Sequence, residues 1–145
     1  MKIIKTIYRF IRYNKNRKLT VGVLLYSGWI RLCILMLPMR WLERYMGSRG
    51  EESPMDEEHN HYLYAMKVSR VVDRVCSKTI WESKCLVRAL TAQKFLNRKG
   101  IATTLYLGCQ TKNEELKAHA WIRCGQFFVT GGNGKDFAMV AKFKA

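Results

Sequence analysis

At 145 residues and 48% apolar, the chain suits one compact domain with an appendage, which argues against a disordered protein. Its formal charge of +15 is uneven, with seven cations and no acid in residues 1–18. Such a bias calls for an acidic partner, be it nucleic acid, an anionic membrane surface or an acidic peptide, without choosing among them. Five cysteines (Cys33, Cys76, Cys85, Cys109 and Cys124) form no CxxC pair. A reduced, cytoplasmic protein is therefore expected rather than a disulfide scaffold or a zinc site, and no metal or other cofactor is called for.

Residues 2–13 form a basic amphipathic helix: Ile3, Ile7, Phe10 and Ile11 share one face, and Lys2, Lys5, Arg9 and Arg12 the other. The pattern fits a solvated charged face over a packed stripe, and equally a docking surface for anionic lipid or an acidic peptide. Basic and apolar residues interleave here, unlike a signal peptide. After a polar break at 14–18, a long apolar helix is predicted over about 20–46. Its run VGVLLYSGWIRLCILML, interrupted by Arg31 and closed by Pro38, falls short of the roughly 20 apolar residues of a spanning helix. A buried or interfacial helix is the better reading, with peripheral membrane contact as the cellular consequence.

GSRGEES, residues 47–53, reads as a linker. Ser53 then resembles an N-cap, Pro54 a first-turn proline, and Asp56, Glu57 and Glu58 suit the positive end of a helix running to about Val75. His59 and His61 are two residues apart, so their side chains diverge on a helix and make no metal pair. A further helix carrying LVRALTAQKFLNRK stops at Gly100. Three β-rich runs follow, TTLYLG, HAWIRC and QFFVTG, with QTKNEELKA as a polar loop between the first two. Gly125 joins the second and third as a hairpin, and MVAKF adds a fourth strand. Helices followed by an antiparallel sheet define an α+β fold.

With Ser83 as N-cap, Cys85 falls at about the second helical position, where free N–H groups and the helix dipole favour a thiolate and could bind an oxyanion. Lys84 and Arg88 add positive potential and Glu82 subtracts from it. His119 opens HAWIRC, so it is expected at a strand start on the sheet rim, within reach of that helix N-terminus. Spacing alone leaves open both a Cys–His catalytic pair and a buried cysteine with an unrelated histidine. Trp121 points to the same strand face as His119, where it walls an active site or packs in the core. GGNGKD lacks the spacing of a nucleotide-binding P-loop and reads as a turn.

The strings W-E-S-K-C-L-V-R-A-L, F-L-N-R-K-G-I, Y-L-G and A-H-A-W, in a stretch that runs from about Trp81 to Phe143, resemble the lasso-peptide leader peptidases. These are transglutaminase-like cysteine proteases of bacterial peptide-maturation clusters. The resemblance implies a transglutaminase/papain-like core with the nucleophile helix packed on a small antiparallel sheet. It divides the chain into a basic arm (1–18), an apolar helical region and linker (19–50) and a peptidase domain (51–145). It further implies removal of the leader from a ribosomally made precursor, with a separate leader-recognition protein and a macrolactam-forming cyclase as partners. Its nucleophile maps to Cys85 and its general base to His119. The family's usual aspartate is missing from FFVTGG, which leaves Asp136, Asn133 and Thr130, in that order, as orienters of the imidazole. Lys5, Arg9 and Arg12 are expected to hold an acidic leader or its binding protein, and charge reversal there to weaken capture more than chemistry. Two rivals stand beside this reading. One is a non-catalytic basic adaptor for nucleic acid, membrane or acidic peptide, although no nucleic-acid motif occurs. The other is an amide-forming transglutaminase that uses the same pair.

Overall fold

The computed structural model describes residues 1–145, except for the side chain of Ile11, so that member of the amphipathic stripe lies outside the described residues. Helix α1 (Lys2–Tyr13) segregates Ile3, Ile4 and Ile7 from its cations. Asn14 then ends one helix and leads into the next: its Oδ1 accepts from the Asn16 N–H and its Nδ2 donates to Thr20 Oγ1. The expected long helix is two. Helix α2 (Arg17–Met36) stops where Pro38 forces Leu37 into an extended conformation, and α3 (Met39–Met46) restarts beyond it.

The segment expected as a linker contributes a short edge strand, β1 (Ser48–Arg49), paired with the last strand. Helix α4 (His59–Cys76) begins five residues later than the Ser53–Pro54 signal suggested, with Glu58 at its N-cap. Ser53 is used in tertiary structure instead. It is buried, its N–H donates to Thr104 Oγ1 at 2.8 Å, and the two hydroxyls bond at 2.7 Å. The acids therefore precede the helix, and His59 and His61 occupy its first turn, His61 against Glu57 at 2.6 Å. Helix α5 (Cys85–Asn97) follows, ending before Gly100 in a left-handed conformation (φ 71°).

Strands β2 (Thr104–Lys112), β3 (Glu115–Cys124), β4 (Phe127–Thr130) and β5 (Ala138–Lys144) complete an antiparallel sheet of order β1-β5-β2-β3-β4. The segment expected as a polar loop, 110–118, is mostly strand. β2 and β3 pair continuously from Thr104↔Arg123 to Lys112↔Glu115 around a two-residue turn, Asn113–Glu114, both left-handed. The protein is thus α+β, as the order of its elements predicts.

Helices α4 and α5 cover one sheet face, and α2 packs on those two helices. Val23, Ile30, Val68, Val72, Leu90 and Leu96 meet Leu105, Ile122 and Phe143 in one core. Strand alternation sends Ala120, Ile122 and Cys124 into that core. His119, Trp121 and Arg123 therefore stand on the other face, with Tyr106 and Gly108 beside them.

Candidate active site

Cys85 is the first residue of α5, half-buried and packed against the core. Lys84, not Ser83, is the N-cap, and no side chain caps this end, so Cys85 stands one position earlier than expected and the first-turn N–H groups stay free of side-chain acceptors. Ser83 serves the loop instead, bonding Thr79 Oγ1 at 2.7 Å. Thr79 also lies 3.0 Å from the Trp81 carbonyl, and Arg88 Nε donates to the Ser83 carbonyl at 3.0 Å while its Nη1 reaches Asp73 at 2.7 Å. Trp81 Nε1 donates to Ser27 Oγ at 3.3 Å, its ring lying close over Gly28, and Glu82 bridges Arg31 at 2.8 Å and Lys84 at 2.6 Å. Each side chain in the W-E-S-K stretch thus ties the approach to Cys85 to α2, α5 or its own loop.

Helix α5 runs into β2 through Gly100 and Ile101 and packs on β2 and β3. Going back from Asn97 to Cys85 covers about 18 Å, nearly the length of β2 from Thr104 to Cys109, about 17 Å. The helix therefore carries its N-terminus toward the end of the sheet where Gly108 pairs with His119.

His119 lies inside β3 rather than at its start, because the hairpin extends further than expected. Its Nε2 is 2.7 Å from the Gly131 carbonyl oxygen. A carbonyl only accepts, so Nε2 carries the proton and, in the neutral ring, Nδ1 keeps the lone pair. The imidazole stacks on Phe137 (centroids 4.6 Å apart) and lies 5.8 Å from Trp121, which in turn stacks on Tyr106 at 5.5 Å. β4 pairs with β3 only at Ile122–Cys124, so the chain from Gly131 onward, not another strand, flanks the edge beside His119. No hydrogen bond joins His119 to Cys85 among the described residues: strand alternation turns the ring to the face away from the helix, so the structure does not bring the two side chains together, contrary to the expectation from sequence.

None of the three side chains considered as orienters hydrogen-bonds the imidazole; the Gly131 backbone does. Asp136 is exposed, Asn133 Oδ1 accepts from the Lys135 N–H at 3.1 Å, and Thr130 Oγ1 is buried without a partner. Lys5, Arg9 and Arg12 lie on α1, where no described residue is buried. Sequence reasoning missed Gly131 and Phe137. It also missed Arg123, which is 2% exposed and directs its N–H groups to Tyr106 Oη, Thr104 Oγ1 and the carbonyls of Ser53, Pro54 and Gly125. All five guanidinium donors are thereby used, which fastens the 53–54 segment over the face that holds His119.

No curated protein and no solved structure matches the chain. A family model described as transglutaminase-like superfamily matches residues 33–142, from the C-terminal half of α2 to near the end of β5. Such domains usually carry a Cys–His catalytic pair. The helix-borne thiol, the antiparallel sheet with its histidine strand and this match over most of the sequence agree: the chain belongs to the transglutaminase-like superfamily.

Proposed function

We propose that the protein is a cysteine peptidase that removes the leader from a ribosomally made lasso-type precursor, with Cys85 as nucleophile and His119 as general base. The observation that carries this reading is the placement of Cys85 at the uncapped N-terminus of α5, the helix packed on the strand that bears His119. The resemblance of W-E-S-K-C-L-V-R-A-L and A-H-A-W to leader peptidases supports the choice of substrate class.

In the proposed reaction Nδ1 of His119 takes the thiol proton after the ring swings toward the helix side past the β3 edge, which beyond Ile122 is flanked by the chain from Gly131 rather than by a paired strand. The Cys85 sulfur attacks the carbonyl at the leader–core junction, and the resulting oxyanion is stabilised by first-turn N–H groups of α5. Proton return to the amine releases one fragment, and water hydrolyses the thioester to release the other. The Gly131 carbonyl holds the tautomer that leaves Nδ1 basic, the role an aspartate or asparagine side chain plays in related enzymes. Trp121 and Phe137 wall the imidazole.

The test is cleavage of a precursor by the chain together with its leader-recognition partner. Cys85→Ala and His119→Ala should each lower the rate by at least about 10³-fold with the melting curve kept. Unchanged cleavage in either variant sinks the mechanism. Acyl transfer to an added amine in place of hydrolysis would instead favour a transglutaminase that uses the same two residues.

A further inference from the structure

Helix α2 meets the domain along one side only. Val23, Ser27 and Ile30 are buried there, and the helix packs on α4 and α5. On the opposite side Leu24, Leu25, Trp29, Leu32, Leu35 and Met36 are exposed, the last two by 66% and 73%. At 100° per residue these six fall within an arc of about 140° and extend over about 18 Å, an apolar strip that also takes in Gly28 with the Trp81 ring against it. Just before it stands α1, whose Ile3, Ile4 and Ile7 are 74%, 71% and 51% exposed. Lys2, Lys5, Arg9 and Arg12 occupy its other face, and no acid occurs in residues 1–18. Just after it, Trp41 and Tyr45 of α3 are exposed, with Arg44 stacked 5.0 Å above the Trp41 ring.

We infer that α1 and the outer face of α2 form a monotopic docking surface for an anionic lipid bilayer. A helix with its isoleucines on one side and its cations on the other lies in the headgroup boundary, the apolar side down and the ammonium and guanidinium groups reaching up to lipid phosphates. The acid-free cluster supplies the charge complementarity, and tryptophan and tyrosine favour the same boundary. Although α2 is long and apolar enough to cross a membrane, its inner side is committed: Val23 and Ile30 belong to the domain core, and Arg31 is paired with Glu82 at 2.8 Å. Spanning would strip these groups from their partners, whereas lying flat leaves the core intact and covers only the face that protein leaves bare. The inference is independent of the peptidase reading.

Full-length protein is mixed with phosphatidylcholine vesicles, with or without phosphatidylglycerol, and followed by flotation and tryptophan emission. Co-flotation with the anionic vesicles is expected, at least tenfold stronger than with neutral ones and weakened by salt. The combined variant Lys5→Glu, Arg9→Glu and Arg12→Glu should lower partitioning by at least about 100-fold. Leu25→Ser, Leu32→Ser and Leu35→Ser together should lower it by more than about tenfold. Both sets alter exposed positions, so an unchanged melting curve verifies folding. Quenching by bromolipids should fall markedly in Trp29→Phe. The proposal is overturned if folded wild type ignores anionic vesicles, if either combined variant binds like wild type, or if α2 proves to span by resisting alkaline extraction. Capture of an acidic peptide without any vesicle binding overturns it too and reassigns the arm.

Discussion

Cys124 and Cys85 show how place decides what a thiol does. Cys124 is fully buried, and loss of water around it, with Glu57 nearby and Arg123 opposing, pushes its pKa up to about 11. Cys76 is also raised, first by burial, with Arg88 and Ser83 pulling the other way. These two are inert core side chains, whereas Cys85 is half-buried at a helix N-terminus. The raised pKa of Cys124 has a consequence for folding. Between the ordinary thiol value near 8.5 and about 11 the folded chain keeps a proton that the unfolded chain has released. Its contribution is therefore complete below about pH 8.5 and is lost as pH rises toward 11, on the order of 3 kcal/mol. Urea unfolding at about pH 8 and about pH 10.5 should show a smaller loss in Cys124→Ala than in wild type. Equal losses would assign the alkaline sensitivity to other groups.

The loop from Gly131 to Phe137 shapes the histidine's surroundings by backbone more than by side chain. Gly134 is left-handed (φ 64°), and a Cβ there would collide with the Trp121 ring; Gly132 is left-handed too (φ 70°) but faces open space. Gly132→Ala should thus cost only the conformational term, about 1 kcal/mol. Gly134→Ala should cost clearly more and shift tryptophan emission as Trp121 moves, both read by denaturant unfolding with fluorescence detection. Equal costs would mean that the loop does not press on Trp121. The same loop marks the limit of sequence reading. That Cys85 opens a helix and His119 lies in a strand was legible because a motif and a change of period announce them, and β4 because its residues are aromatic and β-branched. The carbonyl of Gly131 has no side-chain signal at all. The β2–β3 hairpin was hidden by polar residues at its exposed tip and by Asn113–Glu114, a turn without the usual glycine. Ser53 offered a sound local cap signal that a tertiary bond to Thr104 overrode.

At the scale of the whole molecule, the apolar core and the basic N-terminal helix are kept apart. The core lies between α2, α4, α5 and the sheet, while α1 places no described residue in it and carries four cations. An appendage of this kind opens at little cost, because exposed helix contacts give it no share in the cooperative unit. Deleting residues 1–13 keeps Asn14, whose side chain holds the start of α2 through Asn16 and Thr20. The unfolding free energy should then change by less than about 1 kcal/mol. Urea titration checks this directly, and partitioning onto anionic vesicles should fall in the same shortened chain. A loss of several kcal/mol would instead make α1 part of the folded core. Small loss of stability with large loss of lipid affinity is the signature of a segment kept for what it touches outside the domain.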